Sequence, residues 1–193
     1  YQFGDIYSGM LLECCYIEFE NLQLGSSNHI FCRQVLFPNM DVHIISTTDQ
    51  WAQFSIAGPN ARNLLSKIID PSFNISNETF PYMACAEITI CSGVRARIFR
   101  LSFSGELAYE ISVPSRYGDA LIRKLISAGK EYSVTMYGTE ALGVMRIEKG
   151  HAAGNELDGR NTPTNLGLNG LMAKKKDYIG KTLSSREKLS GNK

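Results

Sequence analysis

The same order of local signals occurs twice in this chain: a strand pattern, a proline and then an amphipathic helix pattern. Phe54 to Ile69 reads FSIAGPNARNLLSKII, and Tyr109 to Ile126 reads YEISVPSRYGDALIRKLI. Between them, Glu87 to Cys91 and Val94 to Phe103 alternate like two further strands, joined at Ser92-Gly93. Two strand–helix units that flank an antiparallel pair predict a ferredoxin-like β-α-β-β-α unit, in an α+β domain with a mixed or antiparallel sheet.

Apolar spacing and end signals predict three helices. The first begins at Pro59, where a missing N–H leaves no bond unmade. Its inward face carries five apolar residues: Ala61, Leu64, Leu65, Ile68 and Ile69. The second helix runs from Tyr117 to Ser127 and has Gly129 as its C-terminal cap. The third begins at a Thr139 cap, runs to Lys149 and ends at Gly150.

The pattern divides the chain after Gly150. Residues 1–150 form the main domain, whose first 50 residues show only short strand patterns. Residues 151–193 predict a loop and a short helix near Tyr178 to Leu189, as the truncated start of a C-terminal domain. Within them, His151 to Gly159 is either a ligand-lining loop or a flexible connection. We expect the fold to be incomplete at both ends.

Composition narrows the classes of partner. The 193 residues include 20 Lys and Arg against 19 Asp and Glu, and this balance argues against nucleic acid. Five cysteines predict reduced thiols in a cytoplasmic protein, and no apolar run reaches membrane-spanning length. The three histidines are scattered, so no metal site is predicted. Neither a dinucleotide-binding glycine motif nor a P-loop occurs.

Arg95 to Pro114 predicts a β-hairpin that turns at Ser104-Gly105-Glu106 and carries one carboxylate, Glu110, in its second strand. Strand alternation places Glu110 on one face with Ala108 and Ser112. Two interpretations remain open at this point. Glu110 points to water on a polar face, or it accepts paired hydrogen bonds from a ligand edge with two adjacent donors.

Four stretches together resemble the glycine-cleavage T-protein (aminomethyltransferase) superfamily. They are SFSGELAYEISVP at residues 102–114, Ala57 to Arg62, Met145 to Gly150 and Gly154 to Asp158. Further stretches look closest to one branch, the C-terminal folate domain of the α subunit of heterotetrameric sarcosine oxidase. These are Trp51 to Phe54, Tyr137 to Gly150, His151 to Gly159 and Lys175 to Lys181.

The resemblance implies a tetrahydrofolate site. In this family the glutamate that matches Glu110 holds the pterin ring by its adjacent N–H and amino donors. Phe103 corresponds to the aromatic residue that packs at the ring, and Phe31 to a second wall. The domain then captures the one-carbon unit from sarcosine N-demethylation as methylene-tetrahydrofolate, by proximity. Flavin and NAD belong to missing regions or to partner subunits of the oxidase.

The chain departs from the family pattern at several positions. The catalytic aspartate of the family corresponds to Glu20, a longer side chain, which becomes the candidate acid/base group. An arginine of the glycine-cleavage proteins falls at Leu142, and the chain is shorter between Cys32 and Pro38. Two alternatives therefore stay open: a stand-alone folate-dependent aminomethyltransferase, or a non-catalytic remnant or assembly module of the oxidase, which an exposed apolar patch would mark.

Overall fold

A computed structural model describes residues 47–157, 160–175, 180–184 and 186. The strands are β1 (Trp51–Ala57), β2 (Cys85–Ile90), β3 (Val94–Phe99) and β4 (Ala108–Pro114). The α-helices are α1 (Ala61–Leu65), α2 (Gly118–Gly129), α3 (Thr139–Lys149) and α4 (Lys181–Ser184). Short 3-10 helices cover Thr48–Gln50, Ser115–Tyr117, Lys130–Tyr132, Gly154–Leu157 and Asn169–Leu171. The strands predicted before residue 47 lie outside the described residues.

The four strands form one sheet in the order β1-β4-β3-β2, and each neighbouring pair is antiparallel. β2, β3 and β4 follow one another as a meander, and β1 completes the sheet against β4. A small antiparallel sheet with helices confirms the predicted α+β class. The ferredoxin-like unit stays a prediction.

One face of the sheet carries the hydrophobic core. Tyr109, Ile111 and Val113 of β4 have no exposed surface, and α1 and α2 pack against this region. The five apolar residues predicted for the inward face of the first helix are all buried. Fully burying one such side chain stabilises the fold by roughly 1.5–3 kcal/mol. The predicted apolar periodicity is thereby confirmed.

The first helix is shorter than predicted. Pro59 lies in the turn before α1, which spans only Ala61–Leu65. Beyond it the backbone joins the edge of the sheet: Ile69 pairs with Ile90, and Asp70 N donates to the Thr89 carbonyl oxygen at 3.0 Å. Pairing with β2 requires an extended backbone, so the chain leaves the helical path although its apolar spacing continues.

The third predicted strand also ends early, at Phe99 rather than Phe103. Opposite the next residue, Met83 has a left-handed backbone with φ 68°, which interrupts the extended partner strand. Residues 100–107 therefore form a connection between β3 and β4. The turn prediction is confirmed at Gly105, whose φ is +87°.

Two helix-end predictions are wrong. Gly129 has right-handed φ and ψ, and the left-handed residue is Ser133, which closes the following 3-10 turn. A glycine is still required at 129, because a Cβ there would lie 2.6 Å from the Val134 side chain. α3 has Gly138 rather than Thr139 at its N-cap, and it ends at a left-handed Gly150 as predicted.

Candidate functional site on the second face of the sheet

The face of the sheet opposite α1 and α2 carries a row of polar side chains. The register pairs Ser112 of β4 with Gln53 of β1 and with Arg97 of β3. Two positions earlier on β4, Glu110 pairs with Ser55 and Phe99. Residues directly opposite each other in an antiparallel pair share a face, so these side chains all lie on one side of the sheet.

Glu110 is half-buried and held by a defined hydrogen bond. Gln53 Nε2 donates to Glu110 Oε2 at 2.8 Å, and Ser112 Oγ donates to Gln53 Oε1 at 2.8 Å. Ser112 is only 4% exposed, and Ala108 on the same face is also buried. The neighbours of Glu110 along β4 are therefore covered, whereas Gln53 and Ser55 on β1 are exposed, so Glu110 lies at the border of a covered and an open part of this face.

A positive group stands at the β3 side of this row. The Arg97 guanidinium lies 3.9 Å above the Trp51 ring, and its Nε is 3.7 Å from Glu87 Oε1. Glu87 also accepts a hydrogen bond from Arg95 at 3.0 Å. A cation–π contact of this kind contributes about 0.5–1 kcal/mol at exposed sites. These contacts fix Arg97 across the face.

The connection between β3 and β4 presents Phe103 at the surface. The Phe103 ring is 41% exposed and stacks on the His151 ring, with 6.2 Å between the ring centres. Ser104 beside it is buried, and Ser102 Oγ donates to the Glu106 carbonyl oxygen at 2.6 Å. The ordered connection thus holds an aromatic ring where a ligand can reach it.

A cavity of about 430 Å³, within the usual size range of small-molecule sites, includes neighbours of Glu110 and Phe103 in its wall but neither of these two residues. Ala108, two residues before Glu110 and on the same face, is part of its wall, as is His151, the stacking partner of Phe103. The wall also includes Tyr82, Arg100, Ser102, Gly105, Glu106, Leu107 and Lys149. A second cavity of about 410 Å³ includes Gln53 and Ser55 in its wall.

The loop after α3 is tied to that helix. Arg146 is 16% exposed, and its Nη1 donates to Glu156 Oε2 at 2.6 Å and to the His151 carbonyl oxygen at 3.1 Å. The Ala153 N–H donates to Glu156 Oε2 at 2.9 Å. The Ala153 N–H and then the Arg146 guanidinium hold the pKa of Glu156 below its usual value. The segment from His151 to Leu157 is therefore anchored to α3, with His151 in the cavity wall.

Of the predicted site residues, the structure describes Glu110 and Phe103, whereas Glu20 and Phe31 lie outside the described residues. Sequence reasoning missed Gln53 as the partner of Glu110 and Ser112 as the partner of Gln53. The strand register that aligns them was the only signal, and it joins positions 59 residues apart. Within the part of the chain that the structure describes, no group of three or more His, Cys, Asp or Glu residues could hold a metal ion. None of the described helices is long and apolar enough to cross a membrane.

Comparison with known proteins places the chain in a family. Residues 25–176 match the model of the GCVT N-terminal domain. A sarcosine oxidase subunit alpha of Rhizobium meliloti (strain 1021) is 47% identical over 86% of this chain and 17% of its own length. A mitochondrial dimethylglycine dehydrogenase of Mus musculus is 31% identical over 79% of this chain and 18% of its own length. An aminomethyltransferase of Thermoanaerobacter sp. (strain X514) is 28% identical over 79% of this chain and 41% of its own length.

All three relatives are enzymes by name, and each is much longer than the matched region. The chain spans less than a fifth of the length of the oxidase and dehydrogenase relatives. The activities of those longer proteins can therefore be assigned to this chain only as a proposal.

Proposed function

The chain belongs to the family of the GCVT N-terminal domain, and on that premise we propose that it binds tetrahydrofolate, with Glu110 orienting the pterin ring. Its role in this proposal is that of the folate domain of a sarcosine oxidase α subunit. There it captures the one-carbon unit released by sarcosine N-demethylation, and the product is methylene-tetrahydrofolate. The oxidation itself, with its flavin and NAD, takes place in other regions or subunits of the oxidase.

The observation that carries the proposal is the half-buried Glu110 carboxylate on the open face of the sheet, fixed by Gln53. A carboxylate accepts two parallel hydrogen bonds, and the pterin edge offers two adjacent donors. Phe103 supplies an exposed aromatic surface, and a cavity of about 430 Å³ adjoins both residues through His151 and Ala108. The described residues thus have the chemistry that this ligand needs.

Two further residues complete the proposal, although neither is among the described residues. We assign Phe31 to a second wall of the pocket and Glu20 to acid/base chemistry, as the family resemblance implies. Bound tetrahydrofolate supplies the nucleophilic nitrogens that accept a one-carbon unit. The chain supplies orientation, and holding the acceptor beside the site where the electrophile arrives raises its effective concentration.

Calorimetric titration of the purified chain with tetrahydrofolate tests the proposal, with Glu110→Gln as the key variant. We expect measurable binding that weakens by roughly tenfold or more in the variant, since hydrogen bonds to a charged group contribute about 1.5–3 kcal/mol. The neutral amide would also set a donor against a ligand donor.

Glu131→Gln is the matched control. Glu131 is another carboxylate, but it lies in the 3-10 helix after α2 and pairs with Lys67 rather than with any residue of the candidate site. Its substitution should leave the affinity unchanged. No heat of binding from a folded wild-type chain, or equal loss in both variants, would contradict the proposal.

A second candidate function, an assembly module, rests on the exposure of α3. None of the residues of this helix is buried, and Val144 and Ile147 are 56% and 63% exposed. Met136, just before the helix, is 74% exposed. An apolar surface of this kind is typical of a protein contact, here with the other subunits of the oxidase.

The two functions separate in one experiment. Val144→Asp combined with Ile147→Asp should abolish capture of purified oxidase subunits by the tagged chain and leave tetrahydrofolate affinity unchanged. Glu140→Lys, an exposed substitution at the start of α3, serves as the control. Undiminished capture by the double variant would exclude α3 as the contact.

A further inference from the structure

We propose that Gln53 is a positioning residue that sets the orientation and ionisation of the Glu110 carboxylate, and that Ser112 holds the Gln53 amide in the required direction. The proposal deepens the proposed function, because it rests on Glu110 as the group that binds the pterin. It concerns two bonds through one amide: Ser112 Oγ to Gln53 Oε1, and Gln53 Nε2 to Glu110 Oε2, both at 2.8 Å.

The amide of Gln53 has two chemically opposite ends. One end accepts hydrogen bonds and the other donates them, and a free glutamine side chain can present either end to a neighbour. The ionised Glu110 carboxylate only accepts and therefore takes the nitrogen end, and the Ser112 hydroxyl donates to the oxygen end and so holds the amide in that direction. Gln53 itself is exposed, and without this bond nothing in its own burial would select one orientation.

Strand register explains why these three residues meet. Gln53 lies directly opposite Ser112, and Glu110 is the diagonal neighbour of Gln53 on the same face. Diagonal cross-strand neighbours lie about 7–8 Å apart, a gap that the long glutamine side chain can span. Ser112 is 4% exposed, and a buried hydroxyl needs a hydrogen-bond partner, which Gln53 provides.

The consequence for Glu110 is electrostatic and geometric. A donor to an ionised carboxylate favours its charged form, and the Gln53 amide is such a donor to Glu110. It also restrains the plane of the carboxylate, on which a two-bond contact with a ligand depends. Among the described residues, the charged and titratable groups around this face are Arg95 and Arg97 on β3, Glu87 on β2, Tyr82, Arg100 and Glu106 in the connections, Lys149 at the end of α3, and His151.

The first test needs no ligand. The Glu110 carboxyl is titrated by carbon-13 NMR in wild type, Gln53→Leu, Ser112→Ala and the double variant. We expect Gln53→Leu to raise the pKa of Glu110 and Ser112→Ala to raise it less, because the amide then turns freely. The double variant should equal Gln53→Leu, since Ser112 acts only through Gln53. Ser66→Ala is the control and should change nothing, because the Ser66 hydroxyl donates to the Arg62 carbonyl oxygen at the end of α1, on the other side of the sheet.

The second test is tetrahydrofolate affinity across pH. Losing one supporting hydrogen bond should weaken binding about three- to tenfold in Gln53→Leu and move the acid limb of the binding profile to higher pH. A merely structural role would lower affinity without moving that limb. Because Gln53 is exposed, the variant is expected to fold, and circular dichroism and thermal unfolding verify this.

The outcomes distinguish the two proposals. If the pKa of Glu110 shifts as expected but wild type does not bind tetrahydrofolate, the positioning role stands and the proposed function fails. If wild type binds and Glu110→Gln does not, while Gln53→Leu changes neither pKa nor affinity, the positioning role is overturned. Additive effects of Gln53→Leu and Ser112→Ala would also overturn it, because they would show independent action.

Discussion

The side chain of Lys149, the last residue of α3, lies directly over Gly105 in the connection between β3 and β4. A Cβ built on Gly105 would come within 2.7 Å of Lys149 Cδ and Cγ and 2.8 Å of its Cβ. Gly105 also has a φ of +87°, which side-chain-bearing residues rarely adopt. This contact joins the segment that carries Phe103 to the helix that precedes His151.

Gly105→Ala should therefore lower the free energy of unfolding by roughly 1–2 kcal/mol, the usual penalty for a left-handed backbone with a Cβ. The clash with the near end of Lys149 adds to it. Urea denaturation measures the change. Gly143→Ala is the control, because Gly143 lies inside α3 with no atom within 4 Å of the added methyl group. The free energy of unfolding of that variant should rise by about 0.5–1 kcal/mol. Equal changes in the Gly105→Ala and Gly143→Ala variants would contradict a special requirement for glycine at position 105.

Sequence patterns captured the parts of the fold that local physics controls. The apolar spacing of residues 61–69 predicted which side chains are buried, and Gly150 ended α3 where expected. The same spacing gave no sign that Ile69 pairs with Ile90, because that bond depends on a distant strand. The early end of β3 likewise follows from the left-handed backbone of Met83, which lies just before β2, the partner strand of β3.

The candidate site was predictable only in part. Strand alternation gave the correct face for Glu110, whereas the binding roles of Glu110 and Phe103 come from the family resemblance and stay predictions. Gln53 and Ser112 were not predicted, because their hydrogen bond depends on the register with which β1 pairs with β4. Alternation alone marks Ser112 as polar and outward, whereas the structure shows that this position is covered. Neither Glu20 nor Phe31 is described, so their roles stay predictions.

Phe103→Ala should weaken tetrahydrofolate binding by several-fold, because an aromatic pair contributes about 0.5–1.5 kcal/mol beyond its buried area. Phe103→Tyr keeps the ring and should bind like wild type. The ring is 41% exposed, so neither change should alter thermal unfolding much. Calorimetry measures the affinities. Wild-type affinity in Phe103→Ala would exclude this ring as a wall of the pocket.

Tyr109→Phe should lower the free energy of unfolding by about 1–2 kcal/mol, because the half-buried Arg62 donor loses its acceptor. Arg62 Nε donates to the Tyr109 hydroxyl at 2.9 Å, and Tyr109 has no exposed surface. Urea denaturation of Tyr109→Phe, Arg62→Leu and the double variant gives the coupling between them. The double variant should lose less than the sum of the single losses, and strict additivity would contradict a direct bond.

Acid should release the loop after α3 through Glu156. The Ala153 N–H and Arg146 lower the pKa of Glu156 in the folded chain, so its ionised form is favoured there relative to the unfolded chain, where the value is about 4.3. The resulting stabilisation is present above that unfolded value and is lost as the pH falls through the folded pKa.

Hydrogen exchange of the Ala153 amide, compared between pH 6 and the acid range after correction for intrinsic rates, should show protection that disappears on acidification. In Glu156→Gln the protection should be weaker at pH 6 and lose its pH dependence, whereas Glu148→Gln, an exposed carboxylate of α3, should behave like wild type. An unchanged acid transition in Glu156→Gln would assign the effect to another group.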